Sequence, residues 1–131
     1  MQNIGPSCGP NGPISRGLTE DEKRMVVEMH NKYRSKVAQG LETRGYPGPQ
    51  KPAADMLELT WDNELEKVAQ RWADQCNFGH DSSRDVSRFS VGQNVYEASD
   101  FREGPIDLKR AVDGWYNEVK DVDNDIADNF R

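Results

Sequence analysis

His80, Gln93 and Glu118 are the residues of this chain best suited by type to bind or activate something. A histidine between Gly79 and Asp81, in the stretch FGHDSSRDVSRFSVGQNV, can serve as a metal ligand or a general base. Either role needs converging partners. Gln93, later in the same stretch, donates and accepts hydrogen bonds, but it cannot be a base and is a poor ligand. Glu118, in WYNEVKD, borders an apolar helical face set by Trp115 and Val119. It reads either as an exposed glutamate or as an inward carboxylate near His80. One imidazole and one carboxylate fall short of the three strong protein ligands usual in a catalytic zinc site. His80 is therefore a weak metal candidate, and a structural, hydrogen-bonded histidine is the plainer reading. In that reading the Gln93 and Asn94 amides tie the segment to His80 and the nearby backbone.

Other candidates fail sooner. His30 is the only other histidine, and with Asn31 and Arg34 beyond it on a helix a structural role is favoured. Cys76 is the one thiol close to a histidine, and a disulfide would consume it. Asp121, Asp123 and Asp125 resemble the start of a calcium-binding loop, but Ile126 stands where that loop needs glycine. No phosphate-binding, dinucleotide, nucleophile-elbow or H-E-x-x-H motif is present.

Three helices and one strand are expected to position these residues. Thr19 and Glu22 form a capping box, followed by Met25, Met29, Tyr33 and Val37 at helical spacing and by Gly40 as a stop. RGYPGPQKPAADM is a proline-punctuated loop. Asp62 caps a second helix, with Leu65, Val68, Ala69, Trp72, Ala73 and Cys76 on one face. RFSVGQNV alternates as a strand from Phe89 to Tyr96. Gly104-Pro105 opens a third helix, patterned by Ile106, Leu108, Ala111, Val112, Trp115, Tyr116 and Val119. A lone strand has no ladder partner, so its backbone groups need satisfaction elsewhere.

The chain has 131 residues, enough for one domain, and a formal net charge of −6. That charge disfavours nucleic acid as a partner, because phosphate neutralisation needs a basic face. No apolar run is long enough to span a membrane, and the first seventeen residues lack the apolar centre of a signal peptide. Those residues (1–17) read as an extended N-terminal arm rich in Gly, Pro, Asn and Ser, and 18–131 as the domain. The two cysteines, Cys8 and Cys76, are either two thiols or one bridge. A bridge would tie down the arm, close a long loop and imply an oxidising compartment.

Together these segments resemble the CAP superfamily of cysteine-rich secretory proteins, antigen 5 and pathogenesis-related 1, and within it the insect venom allergen 5 branch. His30, Asn31 and Arg34 match its H-N-x-x-R helix; Gly92, Gln93, Asn94 and Val95 match its G-[EQ]-N-[IV] signature; GLETRGYPGPQKPAADM and WYNEVKD match its loop and following helix. The resemblance covers about Gly17 to Asp121. It implies an α+β fold, a three-layer α-β-α sandwich forming a partial CAP (SCP) domain that lacks its C-terminal strands here. It also implies a secreted, extracellular venom or saliva protein and allergen. Such a protein is non-enzymatic, meets antibodies or host receptors, and can hold a lipid or sterol between its helices.

Carried over by position, His80, Gln93 and Glu118 are residues of the family cleft, with Gln93 where many members have glutamate. The second cleft histidine belongs to a strand expected after Arg131. The alternative, a metal-dependent hydrolase acting through the His/acid cleft, is weakened on both counts. No cofactor is expected in this chain, and a divalent metal such as zinc belongs only to an intact parent protein. Antigens of this branch carry cysteine where Ser83 stands, paired with one in a longer N-terminal segment, and that bridge is missing. Cys8 and Cys76 match the remaining pair, so the resemblance implies their disulfide. The chain is expected to be a fragment, marginally stable alone because a sheet edge and helix faces would meet solvent.

Overall fold

The structure, a computed structural model, describes residues 4–13, 15–98 and 107–129. The described residues form four α-helices, α1 (Glu20–Ala38), α2 (Asn63–Ala73), α3 (Leu108–Asn117) and α4 (Ile126–Asn129), with 3-10 turns at Pro6–Cys8, before α1, and Glu118–Asp121, after α3. They fall into two compact units. One comprises Met1–Thr19 with Asp62–Ile106, the other Glu20–Trp61 with Asp107–Arg131.

In the second unit, α1 opens with Glu20, Asp21 and Glu22 in its first turn, where the helix dipole favours negative charge. Gly40 ends it at φ 73°, a left-handed conformation that glycine adopts without a Cβ clash. The Gly40 N–H bonds Val37 O at 2.9 Å and the Leu41 N–H bonds Lys36 O at 3.0 Å, closing the helix in a Schellman motif. The expected start and stop of this helix are thus both present. α1 packs on α3. Tyr33 stacks on Tyr116 with ring centroids 3.8 Å apart, and on α3 Ala111 and Val112 are buried. Burying Val112 stabilises by roughly 1.5–3 kcal/mol.

The third helix begins later than expected. Asp107 is extended and accepts a hydrogen bond from Lys109 N, so it caps a helix that starts at Leu108. The competing signal, Gly104-Pro105, lies outside the described residues. An aspartate beside the first helical residues satisfies their orphan N–H groups, and this decides where the helix starts. The proline-punctuated loop is docked by its backbone: Tyr46 N–H bonds Val122 O at 2.9 Å, and Asn124 N–H bonds Pro47 O at 3.1 Å.

In the first unit, Asp62 caps α2 as expected, accepting from Leu65 N at 3.0 Å. Arg88 then clamps the Asp62 carboxylate at 2.8 Å and reaches Glu64 at 3.1 Å. Cys76 lies past the end of α2, at φ 55°. It joins Cys8 in a disulfide with Cα atoms 5.0 Å apart. The arm is therefore fastened to the end of α2. It carries one 3-10 turn at Pro6–Cys8 rather than running extended throughout.

The strand expected over Phe89–Tyr96 does not form. The described residues show an isolated antiparallel bridge between Val86 and Phe89, and 90–98 have no regular structure. The physical reason is visible at Val91. Its N–H donates to Asp85 Oδ1 at 2.7 Å, and its carbonyl accepts from Arg84 Nε at 2.7 Å. Side chains of the preceding turn satisfy the groups that a neighbouring strand would take. No helix among the described residues is long and apolar enough to cross a membrane.

Candidate functional site

In the first unit, the turn after α2 places His80 beside Gln93. Trp72 on α2 donates its indole N–H to Gly79 O at 3.0 Å, which fixes the backbone just before the histidine. Arg71, one residue earlier on the helix, reaches Asp81 at 3.3 Å and Ser83 O at 2.8 Å. Asp81 is buried, 5% exposed, and also accepts from Ser83 N. Arg84 donates to Asp81 O at 2.9 Å. The loop is held by side-chain-to-backbone bonds, a substitute for the sheet ladder it lacks.

Gln93 closes this arrangement. Its Oε1 accepts from Asp81 N–H at 2.9 Å and lies 3.0 Å from His80 Nδ1. A backbone N–H can only donate, so the atom facing it is the amide oxygen. His80 Nδ1 must then carry a proton to share that oxygen. In the neutral ring this leaves the lone pair on Nε2, the orientation seen when a second-shell group steers a metal-binding imidazole. The rest of a metal site does not follow. Among the described residues no group of three or more His, Cys, Asp and Glu side chains is placed to hold a metal ion. One imidazole backed by a neutral amide does not fit zinc.

The other candidates are placed as follows. Glu118 belongs to the second unit, opens the 3-10 turn after α3 and is exposed. Gly92 and Asn94 flank Gln93 and are exposed. His30 Nδ1 lies 2.7 Å from Val26 O on its own helix, and its ring centroid is 6.4 Å from that of Trp115. Asn31 acts like a strand residue: its side chain donates to Leu59 O at 3.0 Å and accepts from Leu59 N at 2.7 Å. Arg34 Nε donates to Leu57 O at 2.8 Å. His30, Asn31 and Arg34 thus bind backbone rather than line a reactive centre. A groove of about 210 Å³ runs beside them, lined by Asn31, Arg34, Ser35, Ala38, Met56, Leu57 and Glu58.

The residue that sequence reasoning missed is Glu42, in the second unit. It is 1% exposed, yet it is charged. Arg44 Nε donates to it at 2.7 Å, Lys36 lies at 3.1 Å, and Tyr116 O–H donates at 2.7 Å. The hydrogen bond from Arg44, above all, holds the Glu42 carboxyl at about 2, against the opposing effect of burial. Burial, and next its bond to Glu42, push the Tyr116 phenol up to about 12. Tyr33, stacked on Tyr116, donates to Asp113, and that bond raises its own phenol. Glu42 stands two residues past the Gly40 stop, and that position carries no signal of burial, because Tyr116 on α3 completes its surroundings.

Against known proteins, the family described as CAP, the cysteine-rich secretory protein family, matches residues 27–131. The chain is 51% identical to "Venom allergen 5" of Dolichovespula arenaria over 116 residues, which are 88% of this chain and 57% of that protein. It is 47% identical to "Venom allergen 5.02" of Vespa crabro over 116 residues, with the same coverage. It is 49% identical to "Venom allergen 5" of Vespula maculifrons over 122 residues, 91% of this chain and 52% of that protein. The chain thus spans little more than half the length of the curated relatives it matches. With the family match covering most of its length, and with a Cys8–Cys76 disulfide and an H-N-x-x-R helix in place, this chain belongs to the CAP family of cysteine-rich secretory proteins.

Proposed function

We propose that the protein is a secreted, antigen 5-like venom or saliva component that works through recognition of its surface by antibodies or host receptors, and not through catalysis. The observation that carries this reading is the near-half identity to venom allergens across about nine-tenths of the chain. Two structural facts support it. The disulfide suits an extracellular, oxidising compartment. Among the described residues, His80 is engaged by the neutral amide of Gln93, as a structural histidine would be.

The reading includes a three-layer α-β-α sandwich in which the helices described here form parts of the outer layers. It also includes a lipid or sterol tail lodged between helices. The groove beside Arg34, at about 210 Å³, is below the roughly 300–1,000 Å³ of ordinary ligand pockets. The lipid part draws its support from the family resemblance. No observation favours the metal-dependent hydrolase.

Competition binding tests the reading. Antibodies raised against Vespula or Dolichovespula venom allergen 5 should bind the folded protein, and the protein should compete with those allergens for them. Failure to compete at hundredfold excess would count against an antigen 5-like surface.

A further inference from the structure

Three residues of the N-terminal arm converge on three consecutive residues at the end of α2. Gly5 donates its N–H to Asp74 O at 2.9 Å. It is also packed so closely that a Cβ there would lie 2.7 Å from Gln75 O. Arg16 forks onto the Asp74 carboxylate, Nε at 3.0 Å and Nη2 at 2.5 Å. Asp74 is 2% exposed, Gln70 donates to it as well, and the Arg16 bond draws its carboxyl below the ordinary range. Cys8, between Gly5 and Arg16 in the chain, meets Cys76. Two contacts that involve no sulfur therefore bracket the disulfide on both sides.

We propose that the arm docks on the Asp74–Gln75–Cys76 turn before any covalent bond forms, so that Gly5 and Arg16 set the Cys8 thiol against the Cys76 thiol. The cystine then locks a seat that already exists. An arm of Gly, Pro, Asn and Ser has little apolar surface with which to find its place. A backbone bond at a site that only glycine fits, together with a bidentate guanidinium–carboxylate fork, supplies directional contacts in place of that surface. Docking raises the effective concentration of one thiol at the other. With oxidised glutathione as the oxidant, one thiolate attacks a glutathione sulfur and releases the first glutathione thiolate. The second cysteine thiolate then attacks the mixed disulfide and releases the second. Two electrons pass to glutathione, and two cysteine protons go to solvent.

The test uses the whole chain in glutathione buffers, with the Cys8–Cys76 bond quantified by alkylation and mass spectrometry. Arg16→Gln and, separately, Gly5→Ala should each lower the equilibrium constant for the bond by tenfold or more. Gly5→Ala leaves no buried charge unpaired, so a loss seen only in Arg16→Gln reflects the stranded Asp74 carboxylate and overturns the proposal, as does no change in either variant. In Cys8→Ser/Cys76→Ser, the Gly5 amide should still exchange at least tenfold more slowly than in an unstructured chain. Exchange at the unstructured rate overturns the proposal independently.

Discussion

At the scale of single residues, the two units use polar side chains to do what a larger core does elsewhere. Glu42 is the strongest case. Its carboxyl sits at about 2 in the folded protein against an ordinary 4.5. A group depressed on folding stabilises fully above its unfolded value, and that contribution is lost as pH falls from about 4.5 toward 2. The amount is on the order of 3 kcal/mol. Urea unfolding followed between pH 6 and pH 2 should show this slope, and Glu42→Gln should flatten it. Tyr116 acts at the other end of the scale. Raised to about 12, it contributes below its ordinary 10, and that stability drains away as pH climbs from 10 to 12. Tyr116→Phe should remove the alkaline loss.

Gln93 gives the second residue-scale prediction. Gln93→Leu strands the Asp81 N–H and should cost about 1–3 kcal/mol, whereas Gln93→Glu keeps an acceptor at the same place and should cost less than half of that. Thermal melts of the two variants measure the difference. The pairing of Gln93 with His80 was legible in the sequence because both belong to one short polar stretch. The burial of Glu42 was not, because it depends on Lys36, Arg44 and Tyr116, which meet only through the fold.

At the scale of elements, caps proved more informative than periodicity. Asp62 marked the start of α2, and Gly40 the end of α1, because both act through bonds to residues two to four positions away. Asp62→Ala should cost about 1 kcal/mol through the lost cap. The half-exposed Arg88 pair adds little to this, as exposed ion pairs do. Circular dichroism during chemical unfolding would measure it.

The start of α3 was misplaced because a Gly-Pro pair is a strong turn signal and Asp107 a quieter one. The strand was misplaced for a deeper reason. Alternation reports that a segment is half-buried, but strand formation needs a partner, and alternation does not identify one. At Val91 the partners are Asp85 and Arg84. The disulfide is the long-range exception: the residues alone left two thiols or one bridge open, and the family resemblance implied the bond that forms. It closes a loop of 68 residues and should contribute about 4 kcal/mol, read as the stability lost in Cys8→Ser/Cys76→Ser.

At the scale of the molecule, family membership was carried by short segments spread from α1 to α3, each with a local structural job. His30, Asn31 and Arg34 bind backbone, and Gln93 binds backbone and a ring. Signature residues of this kind mark a scaffold as readily as a reactive centre. The sharpest measurement is zinc binding and hydrolysis by the protein, wild type beside His80→Ala, with ester, peptide and phosphoester probes. The scaffold account predicts equal zinc uptake and equal, background hydrolysis in the two proteins. Stoichiometric zinc binding or turnover that disappears with His80 would contradict it.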